Sequence, residues 1–211
     1  MTAILFDLDG TLLDTLDDLA DGVNHTLGHF GCPERTREEV RQFVGNGAER
    51  LLKLALPGTA HDPELSRVLA YFKTYYAAHS QIKTRPYVGV PEALEAVKRE
   101  FPVAIVSNKP DNAVKILCSQ YFGDVFALGE SSLLPRKPAP DMVQAAMTAV
   151  GADRCIYVGD SEVDVLTARN AGVPCLSVLW GFRDKELLLE AGATHFCQRP
   201  ADLLKDLKEM I

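Results

Sequence analysis

Long uncharged runs are missing from this 211-residue chain: the longest stretch without Asp, Glu, Lys or Arg covers the 13 residues from Asn170 to Phe182. A membrane-spanning helix needs about 20 predominantly apolar residues, so no membrane association is expected. The apolar run Ala3 to Phe6 is stopped by Asp7 and is too short for a signal peptide. Paired cysteines are lacking too. Cys32, Cys118, Cys155, Cys175 and Cys197 are odd in number, far apart and free of any Cys-x-x-Cys spacing, which excludes a zinc ribbon and a thioredoxin-like redox motif. Cys155 and Cys175 sit inside apolar runs and read as small core residues. A reducing, cytoplasmic setting is the simpler inference. Basic charge is in deficit, with 22 Lys and Arg against 29 Asp and Glu and a formal net charge of −7. Such a chain repels a phosphate backbone, so nucleic-acid binding is not expected without a local basic cluster.

What is present is an ordinary globular composition, 47% hydrophobic and 24% charged, enough to fill a sizeable core. Val103-Ala-Ile-Val106, Cys155-Ile-Tyr-Val158 and Pro174-Cys-Leu-Ser-Val178 are short, apolar and bounded by Gly, Pro or Ser. They read as parallel strands buried on both faces, as does Ala3-Ile-Leu-Phe6, with Val125 to Leu128 a weaker example. Helical patterns such as Asp141 to Val150 and Glu162 to Ala171 lie between them. Strands alternating with helices predict an α/β fold, a doubly wound parallel-sheet (Rossmann-like) core.

The segment from Asp14 to Thr84 offers no convincing strand. Its apolar residues recur at helical spacing, at Leu16, Leu19, Val23 and Leu27 and again at Val40, Phe43, Leu51 and Leu54, with helix ends at Gly31-Cys-Pro33 and Pro57-Gly58. The expected organisation is therefore an α/β core made of residues 1–13 and 85–211 with an inserted all-helical cap at 14–84.

Three polar clusters follow three of the strands. Asp7 and Asp9 follow Phe6, Ser107-Asn108-Lys109 follows Val106, and Gly159-Asp160 follows Val158. All fall at the carboxyl edge of the sheet, where open α/β folds bind ligands. Residues at i and i+2 of an extended chain point the same way, so Asp7 and Asp9 can face one site. Gly10 beside them allows an unusual backbone and a close ligand approach. Two carboxylates about 4 Å apart repel by ~4 kcal/mol at an effective dielectric near 20, which calls for a cation, a raised pKa or both. Taken alone, Asp-x-Asp is equally a strand-end turn with solvated acids. Arg136-Lys137 adds cations in the loop before the helix that starts near Asp141.

Phe6 to Thr15, Ser107-Asn108, Lys137-Pro138 and Gly159-Asp160-Ser-Glu-Val-Asp164 resemble, in order, the four motifs of the haloacid dehalogenase-like hydrolase superfamily, including the position of a helical cap. The resemblance implies that Asp7 is a nucleophile forming an aspartyl-phosphate and that Asp9 is the acid and base of the two half-reactions. It implies Mg²⁺ held by Asp7, the Asp9 carbonyl and Asp160, with Asp164 bound directly or through water. Ser107, Asn108, Gly10 and Thr11 would bind phosphate, and Lys137 would neutralise charge beside Asp7. Dehalogenases with a similar cap lack an acid at the position of Asp9, so phosphoryl chemistry is favoured. A Schiff-base lysine from Lys53, Lys73 or Lys83 has no supporting motif.

Val44-Gly-Asn-Gly-Ala48, Ser107-Asn-Lys-Pro110, Gly181-Phe182 and Leu189 to Ala193 are similar to segments of phosphoglycolate phosphatases. This implies a Mg²⁺-dependent phosphatase acting on a small phosphate monoester, with 2-phosphoglycolate a candidate and Gly45, Asn46 and Gly47 candidates for specificity. A helix-joining turn is the other reading of Gly45 and Gly47. Pyrophosphatases and sugar-phosphate phosphatases or mutases share the scaffold, and a non-catalytic phosphometabolite-binding protein is the alternative class. The expected partner is a small phosphorylated metabolite, with either a monomer or a weak dimer compatible with the sequence. Among the remaining residues, His25 and His29 have helical metal-pair spacing without a third ligand and read as surface or cap contacts. Asp14 with Thr15 reads as the cap of the first helix. Asp17, Asp18 and Asp21 read as a solvated acidic face, and Trp180 as packing.

Overall fold

Ala3, Ile4, Leu5 and Phe6 are all fully buried, as a strand apolar on both faces must be. The computed structural model describes residues 1–59 and 62–211. In chain order, its core strands are Thr2–Phe6 (β1), Val103–Pro110 (β4), Phe126–Glu130 (β5), Arg154–Gly159 (β6), Cys175–Val178 (β7) and His195–Cys197 (β8). They form one sheet in the order β5-β4-β1-β6-β7-β8, parallel at every pairing. The first strand lies in the middle, with Phe6 opposite Ile105 on one side and Val158 on the other. The two short strands, Leu13–Asp14 (β2) and Arg85–Pro86 (β3), pair separately.

Period-two alternation sends neighbouring side chains to opposite faces of the sheet. Ile4, Phe6, Ile105, Ile156 and Val158 pack on one face with Val90, Leu94 and Val97 of helix Val90–Lys98 (α5), Val114 and Leu117 of Asp111–Phe122 (α6), and Leu203 and Leu207 of Leu203–Lys208 (α10). Ala3, Leu5, Ala104, Val106 and Tyr157 pack on the other with Met142, Val143 and Ala146 of Asp141–Ala149 (α7) and Ala168 of Glu162–Ala171 (α8). Each fully buried Leu, Ile or Phe contributes roughly 1.5–3 kcal/mol. Helix Lys185–Glu190 (α9) adds Leu188, which packs with Val165 and Ala193.

The chain divides into two compact units, Met1–Leu13 with Pro86–Ile211, and Asp14–Arg85. The second holds helices Leu16–His29 (α1), Arg37–Phe43 (α2), Gly47–Ala55 (α3) and Leu65–His79 (α4). A Cβ at Gly22 would press on Phe72 and Tyr76 at 3.1–3.2 Å, so α1 and α4 cross closely at a residue without a side chain. Two sequence expectations change in this unit. Asp18 is buried rather than solvated: its carboxylate accepts from the backbone N–H groups of Lys83 and Thr84 and from the Thr84 hydroxyl at 2.8–3.0 Å. Those donors lie 65 and 66 residues away and leave no local sequence signal. Thr15 stands at the N-cap of α1 but its buried hydroxyl makes no hydrogen bond, and Asp14, one residue earlier, accepts from the Leu16 N–H at 3.2 Å. His25 and His29 stack on Tyr71 and Tyr75 with ring centroids 3.7–5.9 Å apart.

Candidate active site

The carboxyl ends of β1, β4 and β6 place their polar residues on one edge of the sheet. Asp7 continues from β1, with its N–H bonded to the Val158 carbonyl at 2.8 Å. A tight turn follows, in which Leu12 and Leu13 donate to the Leu8 carbonyl at 3.0 Å. Gly10 allows this turn with φ +86°. Its N–H donates to the Leu13 carbonyl at 2.8 Å, and the Thr11 hydroxyl donates to Asp160 Oδ1 at 2.9 Å. The donors of Gly10 and Thr11, expected to bind phosphate, are thus engaged in building the turn and orienting Asp160. The indole N–H of Trp180 donates to the Thr11 carbonyl at 2.9 Å, so this packing residue also ties the turn to the far side of the sheet.

Asp7, Asp160 and Asp164 each turn a carboxylate oxygen to one point, all three lying within 4.8 Å of one another. All three are buried. Asp160 accepts from Thr11 and from the Phe182 N–H at 2.8 Å. Asp164 lies at the start of α8, where its Oδ2 accepts from the N–H and hydroxyl of Ser161 at 3.0 and 2.7 Å in a capping box. Glycines make room for the cluster. A Cβ on Gly10 or Gly181 would overlap Asp160, and one on Gly159 would overlap Asp164. Asp7 Oδ1 is buried with no aligned hydrogen-bond donor, although the Lys137 ammonium lies 2.8 Å away. A buried carboxylate oxygen beside two further carboxylates is a donor set of hard oxygens, which suits a divalent cation. Among the described residues no other trio of His, Cys, Asp or Glu is so arranged, and His25 and His29 belong to none.

Lys137 supplies the counter-charge. Its Nζ donates to Asp164 Oδ1 at 2.8 Å and to the Tyr157 hydroxyl at 3.0 Å, and forms an ion pair with Asp7 Oδ1 at 2.8 Å. The Asn108 side chain holds the Lys137 backbone at both groups, accepting from its N–H at 2.8 Å and donating to its carbonyl at 3.0 Å. Asn108 therefore places the lysine. Tyr157 in turn donates to the Val106 carbonyl at 3.1 Å.

The electrostatics follow from burial. Burial pushes Asp7 well above the usual carboxylate range, and Asp164 and Asp160 push the same way against the pull of Lys137. Burial, then Asp164, pushes Asp160 up to about 7, although Phe182 and Thr11 hydrogen-bond to its charged form. Burial would lower the Lys137 ammonium, but Asp164 and Asp7 outweigh it and hold the lysine well above its ordinary value.

Sequence reasoning gave no role to three groups here. Tyr157 was legible only as an apolar strand residue, although the polar tip of a buried tyrosine needs a partner. Lys109 lies in the cluster after β4 and is almost wholly buried, with Nζ 3.0 Å from Asp9 Oδ1. Its spacing of two from Ser107 was the available signal. Arg183 is buried and paired with Glu162 at 2.8 Å. Gly45, Asn46 and Gly47 lie in the other unit, at the turn between α2 and α3, with φ +122° and +78° at the glycines.

The family model for haloacid dehalogenase-like hydrolases matches residues 4–178. The chain belongs to that family. Phosphoglycolate phosphatase 1 of Pseudomonas aeruginosa is 36% identical, over 95% of this chain and 78% of its own. The phosphoglycolate phosphatase of Aquifex aeolicus is 31% identical, over 97% of this chain and 96% of its own. A crystal structure of a Lactobacillus delbrueckii subsp. bulgaricus protein, 36% identical, superimposes with a TM-score of 0.88 over 97% of each chain. This hydrolase thus shares nearly its whole length with phosphatases. No helix among the described residues is long and apolar enough to cross a membrane.

Proposed function

We propose that this hydrolase is a Mg²⁺-dependent phosphatase that cleaves a small phosphate monoester through an aspartyl-phosphate on Asp7, with 2-phosphoglycolate as the leading candidate substrate. The observation that carries the reading is the buried Asp7 carboxylate with Lys137 Nζ at 2.8 Å and the Asp160 and Asp164 carboxylates within 4.8 Å. The names of the full-length relatives support the choice of substrate.

In the first half-reaction an Asp7 oxygen attacks phosphorus and the bond to the alcohol oxygen breaks, while Asp9 gives that oxygen its proton. In the second, water attacks phosphorus, Asp9 takes its proton, and the bond to Asp7 breaks to release inorganic phosphate. Lys137, fixed by Asp164 and Tyr157, holds Asp7 in place and offers positive charge to the phosphoryl oxygens. The Ser107 hydroxyl, at the end of β4, serves another phosphoryl oxygen. Asp7, Asp160 and Asp164, with the Asp9 carbonyl, would hold Mg²⁺. Bound there, the ion offsets the charge of the carboxylates and of the incoming phosphate. Residues 14–84 are assigned the role of a cover, and Gly45, Asn46 and Gly47 the choice of substrate.

Phosphate release from 2-phosphoglycolate, pyrophosphate, sugar phosphates and an aryl phosphate, with Mg²⁺ or with chelator, tests the reading. Activity should require the metal and be highest with 2-phosphoglycolate. With the aryl phosphate, Asp9→Asn should accumulate a phosphorylated enzyme in quenched intact-mass spectra, whereas Asp7→Asn should not. Labelling of Asp7→Asn, or full activity in excess chelator, would refute the mechanism.

A further inference from the structure

Building on the phosphatase reading, we propose that Lys109 recognises the leaving group, selecting phosphate esters whose alcohol carries a carboxylate next to the ester-bearing carbon. The site holds two buried ammonium groups with different neighbours. Lys137 is engaged with Asp7, Asp164 and Tyr157 and answers the charge of the nucleophile and the cation ligands. Lys109 lies 3.0 Å from the carboxylate of Asp9, the residue assigned to the leaving oxygen.

Ser107 and Lys109 both lie in the stretch of β4 between Val106 and Pro110 where its pairing with β5 is irregular. The Lys109 N–H also donates to Ser107 Oγ at 3.2 Å, which fixes the two residues together. With the leaving oxygen assigned to Asp9 and phosphoryl oxygens to Ser107, the alcohol part of the ester lies beside Lys109, which pairs with Asp9. An oxygen hydrogen-bonded to Asp9 lies within about 6 Å of Lys109 Nζ, one hydrogen-bond length beyond the observed ion pair. In the ester of a 2-hydroxy acid, the carboxylate is one bond beyond the carbon carrying that oxygen, and it bridges this gap. A lysine suits the task because its ammonium can serve several oxygens at once. Burial makes the charge selective, since an uncharged alcohol would leave it without the added anion.

Ethyl phosphate has the two-carbon skeleton of 2-phosphoglycolate without the carboxylate, so the ratio of kcat/KM for the two esters reads the contact. Wild-type enzyme should favour 2-phosphoglycolate, and Lys109→Met should lower the ratio by about thirtyfold or more. Lys109→Arg, which keeps the charge, should retain a ratio well above that of Lys109→Met. A Lys109 that acts only by positioning Asp9 would depress both esters equally, and an unchanged ratio in Lys109→Met would overturn the proposal. Equal use of both esters by wild-type enzyme would overturn it without any variant. Calorimetric titration of the Mg²⁺-loaded protein with glycolate supplies a readout independent of turnover: binding should be lost in Lys109→Met and present in wild type. Undiminished glycolate binding by Lys109→Met, or by Lys109→Gln if the methionine variant does not fold, would count equally against it. Wild-type inactivity toward every ester would indict the phosphatase reading instead, while glycolate binding would still decide the role of Lys109.

Discussion

Replacing Tyr157 with phenylalanine removes one buried oxygen and keeps the ring in its cluster with Leu5, Val106 and Met142. That oxygen accepts from Lys137 at 3.0 Å and donates to the Val106 carbonyl at 3.1 Å, in a residue with no exposed surface. Tyr157→Phe would leave one N–H of a buried ammonium unpaired and strip a donor from a buried carbonyl. A hydrogen bond to a charged group contributes roughly 1.5–3 kcal/mol, and no cavity larger than a hydroxyl opens, so the expected loss of stability is about 2–3 kcal/mol. For a chain of this size that lowers Tm by roughly 5–10 °C. Lys137 keeps its two carboxylate partners but loses the neutral one that fixes its direction without neutralising it. We expect kcat to fall about tenfold with KM little changed, because the ammonium is misdirected in the transition state more than in the bound substrate. Thermal unfolding in chelator and steady-state kinetics in Mg²⁺ measure the two effects separately. An unchanged or raised Tm together with an unchanged kcat would show that the hydroxyl does not hold Lys137.

Asp164→Asn should cost stability as well as activity. One oxygen of Asp164 accepts from Lys137 and the other from two donors of Ser161, so an amide NH₂ turned either way faces a donor. A loss of about 2–4 kcal/mol in denaturant unfolding is expected, and a loss below ~0.5 kcal/mol would refute the assignment of partners. The metal-free protein should also be more stable at pH 5 than at pH 7.5. Asp160, pushed up to about 7, and Asp7, raised by burial, bind protons in the folded state that the unfolded state has released above about pH 4. Stability therefore falls as pH rises through that window, by up to ~1.4 kcal/mol per unit for each group. Tm measured in chelator should fall from pH 5 to 7.5, added Mg²⁺ should restore it at the higher pH, and Asp160→Asn should flatten the slope. A metal-free Tm that rises over this range and is unaffected by Asp160→Asn would refute the electrostatic account.

The parallel sheet was legible because buried strands of this kind carry apolar residues on both faces, and β1, β6 and β7 do so almost without interruption. The ends of strands were less so. β4 runs on through Ser107, Asn108 and Lys109 to Pro110, polar residues that the site buries and that sequence alone assigns to a loop. The last strand, β8, was invisible: it has three residues, of which His195 is exposed, too few for any period to appear. Asp18 misled for a different reason. Beside Asp17 and Asp21 it has the pattern of a wet helix face, and only the backbone at Lys83 and Thr84 turns it into a buried acceptor.

The positions of the acids could be inferred from the sequence, whereas their supports could not, and the difference is physical. A carboxylate that follows an apolar strand is placed by one local rule, the length of the strand. The supporting partner of a charged group comes from whatever the chain brings to the same edge from 20 to 150 residues away: Thr11 for Asp160, Tyr157 for Lys137, Phe182 for Asp160 again. Every one of these supports comes from a neutral group, so each orients a charged residue without cancelling its charge. The cancelling is left to Lys137, which is held at its backbone by Asn108 and at its ammonium by three separate elements. One lysine offsets only part of three buried carboxylates, and the cluster consequently keeps Asp7 and Asp160 prone to protonation until a cation arrives. Removing water from that cluster strengthens every charge interaction in it, including the one with a phosphoryl group entering beside Asp7. The same burial that should weaken the metal-free protein at neutral pH would therefore be what gives a divalent cation and a phosphate ester their hold on it.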